Sequence, residues 1–107
     1  MLRPGRVVEQ EFRPRRPGPK LRFRVDLHGI SLFGPGDERT LIRWEWLEEV
    51  RSERGLAIRS ASEEINLPGG AFGLPAEKLA ELLWEARSPD RRVAVISELG
   101  GKERPGP

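Results

Sequence analysis

The chain has 107 residues, of which 36% are hydrophobic and 34% charged, and its formal net charge is +2. This length leaves room for one domain with a single core, and its apolar runs are too short to span a bilayer. Because the sequence contains no cysteine, disulfides and thiolate metal sites are excluded.

The first predicted elements are two strands separated by a proline-rich loop. Residues 1–5 are expected to form a flexible N-terminus, and Arg6–Phe12 is expected to form a short strand. Residues 13–19 are predicted to form a loop, because their three prolines fix φ and lack an N–H. Apolar and basic residues alternate in Lys20–Leu27, which predicts a half-buried strand with a basic outer face.

Two turns bound the next predicted strands. His28 and Gly29 interrupt the pattern before Ile30–Phe33, which predicts a tight hairpin. The segment Gly34–Glu38 contains the glycine, proline and aspartate of a second turn. Alternation resumes in Arg39–Trp44, which is therefore predicted to be the next strand.

The alternation breaks after this strand, and two interpretations remain open. A bulge or corner at Glu45–Glu48 would turn Leu47 and Val50 toward the core. The alternative is a short helix over Trp44–Arg54, because the apolar residues of this segment lie three or four positions apart.

Further strands and one helix are predicted in the second half of the chain. Leu56–Ser60 and Glu64–Leu67 are short strands, and strands spaced about every 8–12 residues are typical of a small barrel or sandwich. Ala76–Arg87 is predicted to be an amphipathic helix with a leucine stripe. Arg92–Ser97 is a candidate extra strand, and residues 98–107 are expected to be a disordered tail.

Four short motifs occur in an order typical of one group of small β domains. They are a strand leading into a hairpin glycine, a strand ending in Trp, a strand that begins with Gly and a strand that ends in Pro. Here these motifs are Asp26–Ile30, Leu41–Leu47, Gly55–Ile58 and Ile65–Pro68. In these motifs the chain resembles the bacterial PH-like (pleckstrin-homology-like) domains over roughly residues 20–87.

The resemblance implies a mainly β domain over residues 6–97. Its expected architecture is a bent barrel of about seven antiparallel strands, capped by one C-terminal α-helix. PH-like barrels bind lipids, peptides and proteins alike, so the fold alone does not select a ligand.

Basic residues are concentrated at the start of the chain. Residues 1–24 carry eight basic and two acidic side chains, whereas the remainder is net acidic. In the family that the chain resembles, lipid-binding members carry basic residues in the loop between the first two strands. The candidate residues for binding an anionic lipid surface or another polyanion are therefore Arg13, Arg15, Arg16, Lys20, Arg22 and Arg24.

Two alternatives limit this interpretation of the basic segment. A solvated strand face with a loose arginine-rich loop would have the same sequence. Nucleic acid is disfavoured as a partner, because only Phe12 and Phe23 are nearby for base stacking and Phe23 is predicted to face the core.

Two tryptophans are candidate residues of a protein interface, Trp46 and Trp84. Trp84 lies away from the leucine stripe of the predicted helix, and exposed tryptophan is typical of protein interfaces. The alternative is that Trp84 packs under Arg92–Ser97 or the N-terminal segment.

The sequence offers little for catalysis. The only histidine, His28, lies at a predicted turn, and no pattern suggests a metal or cofactor site. No secretory signal or transmembrane segment is recognisable, which favours a soluble cytoplasmic protein. We therefore expect a non-enzymatic intracellular binding or scaffolding module that acts through a protein partner or self-association. Peripheral binding to an anionic membrane surface is the alternative.

Overall fold

Strands and helices account for most of the residues that the computed structural model describes, which are 6–13, 17–36 and 38–102. The strands are β1 Val7–Phe12, β2 Leu21–Asp26, β3 Gly29–Phe33, β4 Arg39–Arg43, β5 Glu49–Ser52, β6 Gly55–Arg59 and β7 Glu64–Pro68; the helices are α1 Ala76–Glu85 and α2 Pro89–Lys102; and two single 3-10 turns are Trp44–Trp46 and Ala71–Gly73. The predicted flexible residues 1–5 lie outside the described residues, as do residues 103–107 of the predicted tail.

The strands form two antiparallel sheets, ordered β1-β2-β3-β4 and β5-β6-β7. Period-two alternation places one side of every strand in a common core. In the first sheet Val25, Ile30 and Ile42 lie side by side on neighbouring strands, and all three are buried. In the second sheet Ile58 lies opposite Ile65, and both are buried. The predicted mainly antiparallel β fold with a C-terminal helix is confirmed.

A corner joins the two sheets at the 3-10 turn Trp44–Trp46. The Trp44 side chain is buried, and its indole Nε1 donates a hydrogen bond to the Asp26 carbonyl oxygen at 2.8 Å. Leu47 is also buried, as the corner interpretation predicted. The alternative helix over Trp44–Arg54 is wrong, because residues 49–52 form β5 and take their backbone partners from β6.

The predicted extra strand Arg92–Ser97 is also wrong, because these residues lie inside α2. Its buried residues Val95, Ile96 and Leu99 recur at helical spacing, because Leu99 lies four positions after Val95 and three after Ile96. The structure therefore ends in two helices rather than one. The second helix runs to Lys102, beyond residue 97, where the sequence placed the end of the folded domain.

The two helices cover different parts of the sheets. Helix α1 packs on β5 and β6, and α2 packs against α1, β1 and the turn Ala71–Gly73. Neither helix has the length and apolarity that a bilayer-spanning helix needs. The buried apolar side chains form one core, comprising Val8, Phe23, Val25, Ile30, Ile42, Trp44, Leu47, Leu56, Ile58, Ile65, Leu67, Phe72, Leu74, Leu79, Leu82, Leu83, Ala86, Val95, Ile96 and Leu99.

Phe72 connects the linker between β7 and α1 to the first sheet. Its ring packs on Phe23 with the centroids 5.7 Å apart, and its backbone N–H donates to the Gln10 side-chain oxygen Oε1 at 2.6 Å. The backbone of Phe72 is left-handed, with φ 57°. Aromatic packing and a hydrogen bond to β1 thus hold a conformation that a bulky residue rarely adopts.

Candidate functional site

Trp46 and Trp84 are large apolar side chains that lie outside the core. Trp46 is 51% exposed and Trp84 is 43% exposed, whereas the core residue Trp44 is 1% exposed. Trp46 points outward because the 3-10 turn at the corner directs only its first tryptophan into the core.

A groove with a volume of about 440 Å³ lies beside Trp46. Its lining residues are Glu45, Trp46, Leu47, Glu48 and residues 60–62 of the β6–β7 connection. Trp46 supplies the exposed apolar surface, because Leu47 is buried, and the two exposed glutamates place carboxylates on the rim. An aromatic groove with an acidic rim is complementary to an apolar side chain next to a basic one.

The backbone beside Glu45 and the side chain of Arg43 both favour the ionised form of Glu45. A backbone hydrogen bond lowers the pKa of Glu45, and the positive charge of Arg43 lowers it further. The Arg43 Nε donates to the Glu45 carboxylate at 3.1 Å, and its guanidinium carbon lies 5.6 Å from the centroid of the Trp46 ring. Glu45 is therefore ionised at neutral pH, and Arg43 contacts both Glu45 and Trp46.

Arg92 of α2 links the corner to the end of α1. Its side chain donates to the carbonyl oxygens of Ala86 at 2.9 Å and Arg87 at 3.0 Å. Its guanidinium carbon also lies 5.5 Å from the centroid of the Trp44 ring. A cation at these carbonyls satisfies orphan acceptors and complements the negative end of the helix dipole.

Replacing Arg92 with alanine is expected to lower the free energy of unfolding by about 1–2 kcal/mol, because two helix-terminal carbonyls lose a charged donor. Urea denaturation followed by circular dichroism measures this loss. Arg91→Ala is the matched control: Arg91 forms a surface ion pair with Glu85, and such pairs contribute little. Equal losses in the two variants would contradict the capping role of Arg92.

The predicted basic residues are only partly brought together. Lys20 is exposed just before β2, and Arg22 and Arg24 lie on the outer face of β2. Arg13 is exposed after the end of β1, and Arg15 and Arg16 lie outside the described residues. The structure thus describes the strand part of the predicted surface and one residue of its loop.

Sequence reasoning missed Phe33 and Arg39, which share the outer face with the arginines of β2. Phe33 lies opposite Arg22 on one side and opposite Arg39 on the other. The alternation in β3 and β4 places Phe33 and Arg39 on the outer faces of their strands. Only the register of the hairpin shows that the two side chains are neighbours.

The outer face of the second sheet has balanced charges by comparison. Glu49 accepts hydrogen bonds from Arg51 at 2.8 Å and Arg59 at 2.6 Å. The hydrogen bond and positive charge of Arg51, together with Arg59, lower the pKa of Glu49, and Glu49 in turn raises the pKa of Arg51. This face therefore offers no excess of cations to match that of the first sheet.

His28 is a turn residue, as its position in the sequence predicted. Its backbone N–H and that of Gly29 donate to the Asp26 carboxylate at 2.8 and 3.1 Å, which closes the β2–β3 turn. Among residues 6–13, 17–36 and 38–102, no three His, Asp or Glu side chains converge as metal ligands would. Comparison of the chain with family models, curated proteins and solved structures finds no match.

Proposed function

We propose that this chain is a non-catalytic, intracellular PH-like module that binds a protein partner in the groove beside Trp46. One observation carries the proposal: a half-exposed tryptophan forms the wall of a 440 Å³ groove whose rim carries carboxylates. Tryptophan is enriched among the residues that dominate binding energy in protein interfaces.

The groove favours a partner segment with an apolar side chain next to a lysine or arginine. The apolar group would contact Trp46, and the basic group would face Glu48, because Glu45 is already paired with Arg43. Trp84, on α1, is a second exposed tryptophan, and the guanidinium carbon of Arg87 lies 4.0 Å from the centroid of its ring.

The order of the elements supports the PH-like part of the proposal. Seven strands in two antiparallel sheets precede a helix that packs on the second sheet. The resemblance of the four sequence motifs supports the same assignment. Because such barrels bind different ligands on different surfaces, the groove and not the fold is the argument for a protein partner.

A displayed library of random peptides, selected on the purified chain, tests the proposal. We expect the recovered peptides to carry a basic residue next to an apolar one. Trp46→Ala is expected to raise their Kd at least about tenfold, because an aromatic residue at the centre of an interface contributes more than about 1.4 kcal/mol. Isothermal titration calorimetry measures each affinity.

Matched variants separate the groove from the rest of the surface. Glu48→Gln is expected to weaken the peptides, whereas Glu64→Gln, which removes the same charge from an exposed residue of β7, is expected to leave them unchanged. Light scattering over a range of concentrations determines whether a second copy of the chain is the occupant. Peptides that bind Trp46→Ala as tightly as the wild type would refute the proposed groove.

A further inference from the structure

The β1–β2 loop and the groove beside Trp46 (the Trp46 groove) lie at opposite ends of the first sheet. Arg13 and Lys20 flank the loop, and both are exposed. The loop joins β1 to β2 at one end of the sheet. The corner that carries Trp46 follows β4 at the other end, beside the β2–β3 turn. A basic segment and an acidic groove therefore mark different ends of the same molecule.

Glu48 is the carboxylate of the Trp46 groove that is available to a partner. It is exposed and lines the groove. Glu45 is instead held by Arg43, at 3.1 Å. Among residues 6–13, 17–36 and 38–102, no lysine or arginine forms an ion pair with Glu48. The groove thus places an exposed indole ring next to a carboxylate that can accept a cation.

The strand residues of the basic segment already have partners within the first sheet. Glu9 forms ion pairs with Arg24 and, at 3.7 Å, with Arg22. The guanidinium carbons of Arg22 and Arg24 also lie 4.3 and 5.1 Å from the centroid of the Phe33 ring. Within the part of the chain that the structure describes, neither Arg13 nor Lys20 forms an ion pair. The loop is therefore the part of the basic segment that most needs a carboxylate.

The sequence of the loop matches the preference of the Trp46 groove. Residues 13–20 are Arg-Pro-Arg-Arg-Pro-Gly-Pro-Lys, so each of the four basic residues adjoins a proline. An apolar ring next to a cation is the combination that suits Trp46 and Glu48. Because proline fixes φ, the segment loses less conformational entropy on binding than an ordinary loop would.

The loop is too short to reach the groove of its own chain. Nine residue steps join Phe12 to Leu21, so the middle of a fully extended loop lies at most about 16 Å from these two anchors. The corner lies about 17 Å from them along β2 and about 10 Å across two strand spacings, which together make about 20 Å. A loop that enters this groove must therefore come from a second molecule.

We propose that segment 13–20 of one copy of this chain binds in the Trp46 groove of a second copy. A prolyl ring packs on Trp46, and the neighbouring guanidinium binds the carboxylate of Glu48 through its fork of N–H donors. This assignment of the occupant rests on the proposed function, which supplies the groove. Because segment and groove are different surfaces, the contact is heterologous, and the copies form a closed pair or a longer assembly.

Light scattering of the full chain over a range of concentrations measures the association. We expect the mass to rise above that of one chain, and to fall back as salt screens the charged contact. Arg15→Glu/Arg16→Glu is expected to leave a monomer. Arg54→Glu/Lys78→Glu makes the same change in net charge at exposed residues elsewhere and is expected to associate as the wild type does. A wild type that stays monomeric, or equal losses in the two double variants, would overturn the proposal.

Mixing two defective variants gives a result that misfolding cannot produce. Arg15→Glu/Arg16→Glu lacks the segment but keeps the groove, whereas Trp46→Ala lacks the groove but keeps the segment. Each variant alone is expected to be a monomer, and their mixture is expected to form pairs with twice the mass of one chain. A mixture that stays monomeric while the wild type associates would show that the association uses other surfaces.

A synthetic peptide of residues 12–21 separates this inference from the proposed function. We expect calorimetry to show that it binds Arg15→Glu/Arg16→Glu, and that adding Trp46→Ala to this variant raises the Kd at least about tenfold. Adding Glu64→Gln instead is expected to change the Kd less than about twofold. If selected library peptides bind the groove and this peptide does not, the self-association is wrong and the proposed function stands. If neither binds, both are wrong.

Discussion

Phe72→Ala is expected to lower the free energy of unfolding by about 3–5 kcal/mol, as removal of a fully buried aromatic ring does. The ring is 0% exposed and packs on Phe23 in the first sheet, so its loss leaves a cavity. Urea denaturation followed by circular dichroism measures the change. Trp84→Ala is the matched control, because the same kind of truncation on the surface costs less than about 1 kcal/mol.

Phe72→Gly adds a second test at the same position. An L-residue in the left-handed region costs about 1–2 kcal/mol relative to glycine, and Phe72 has φ 57°. We therefore expect Phe72→Gly to be at least as stable as Phe72→Ala, although glycine is the less stable of the two in regular elements. A glycine variant that unfolds more easily than the alanine variant would contradict backbone strain at this turn.

Gly29→Ala is expected to lower the free energy of unfolding by about 3 kcal/mol, at the upper end of the cost of overpacking. A Cβ atom on Gly29 would overlap the Ile42 carbonyl oxygen and lie 2.7 Å from the Cα of Arg43. Both neighbours are backbone atoms of the paired strand β4, so no side-chain rotation relieves the overlap. The midpoint of urea unfolding measures the loss.

Gly69→Ala is the matched control for this glycine. A Cβ on Gly69 would have no atom within 4 Å, and its φ is not positive. Its substitution is expected to leave stability unchanged or to raise it slightly, because alanine reduces the entropy of the unfolded chain. Equal losses for Gly29→Ala and Gly69→Ala would show that close strand contact is not the reason for glycine at position 29.

Part of the fold was predictable because local patterns and tertiary contacts agree. The motif residues Asp26, Gly29 and Trp44 meet at one point: the carboxylate of Asp26 closes the turn, and its carbonyl accepts the Trp44 indole N–H. Gly29 allows the close approach of the strand that precedes Trp44. The motif is therefore a set of contacts that fixes the β2–β3 turn against the corner.

Helix α2 was missed because its local signals conflict. Val93, Ala94, Val95 and Ile96 form a run of small and β-branched residues that is typical of strands. The helical pattern appears only when Leu99 is included, and the glycines after it suggested a tail. Packing against α1 and β1 outweighs these propensities.

The candidate sites were harder to predict than the fold. Exposure of Trp46 depends on the single 3-10 turn at the corner, which the sequence left open as bulge or helix. The partnership of Arg22, Phe33 and Arg39 depends on the register of two hairpins, and a shift of one residue would separate them. Basic residues could be counted in the sequence, but their neutralisation by Glu9 could not.

The packing of α2 against β1 has a consequence for biosynthesis. Among the described elements, the ribosome makes β1 first and α2 last. The apolar side of β1 therefore stays uncovered by α2 until nearly the whole described chain has been synthesised. Phe72, whose backbone N–H forms a hydrogen bond with the Gln10 side chain, is synthesised 62 residues after Gln10. Nascent chains that end before Leu99 therefore present uncovered apolar surface, which is the kind of surface that chaperones recognise.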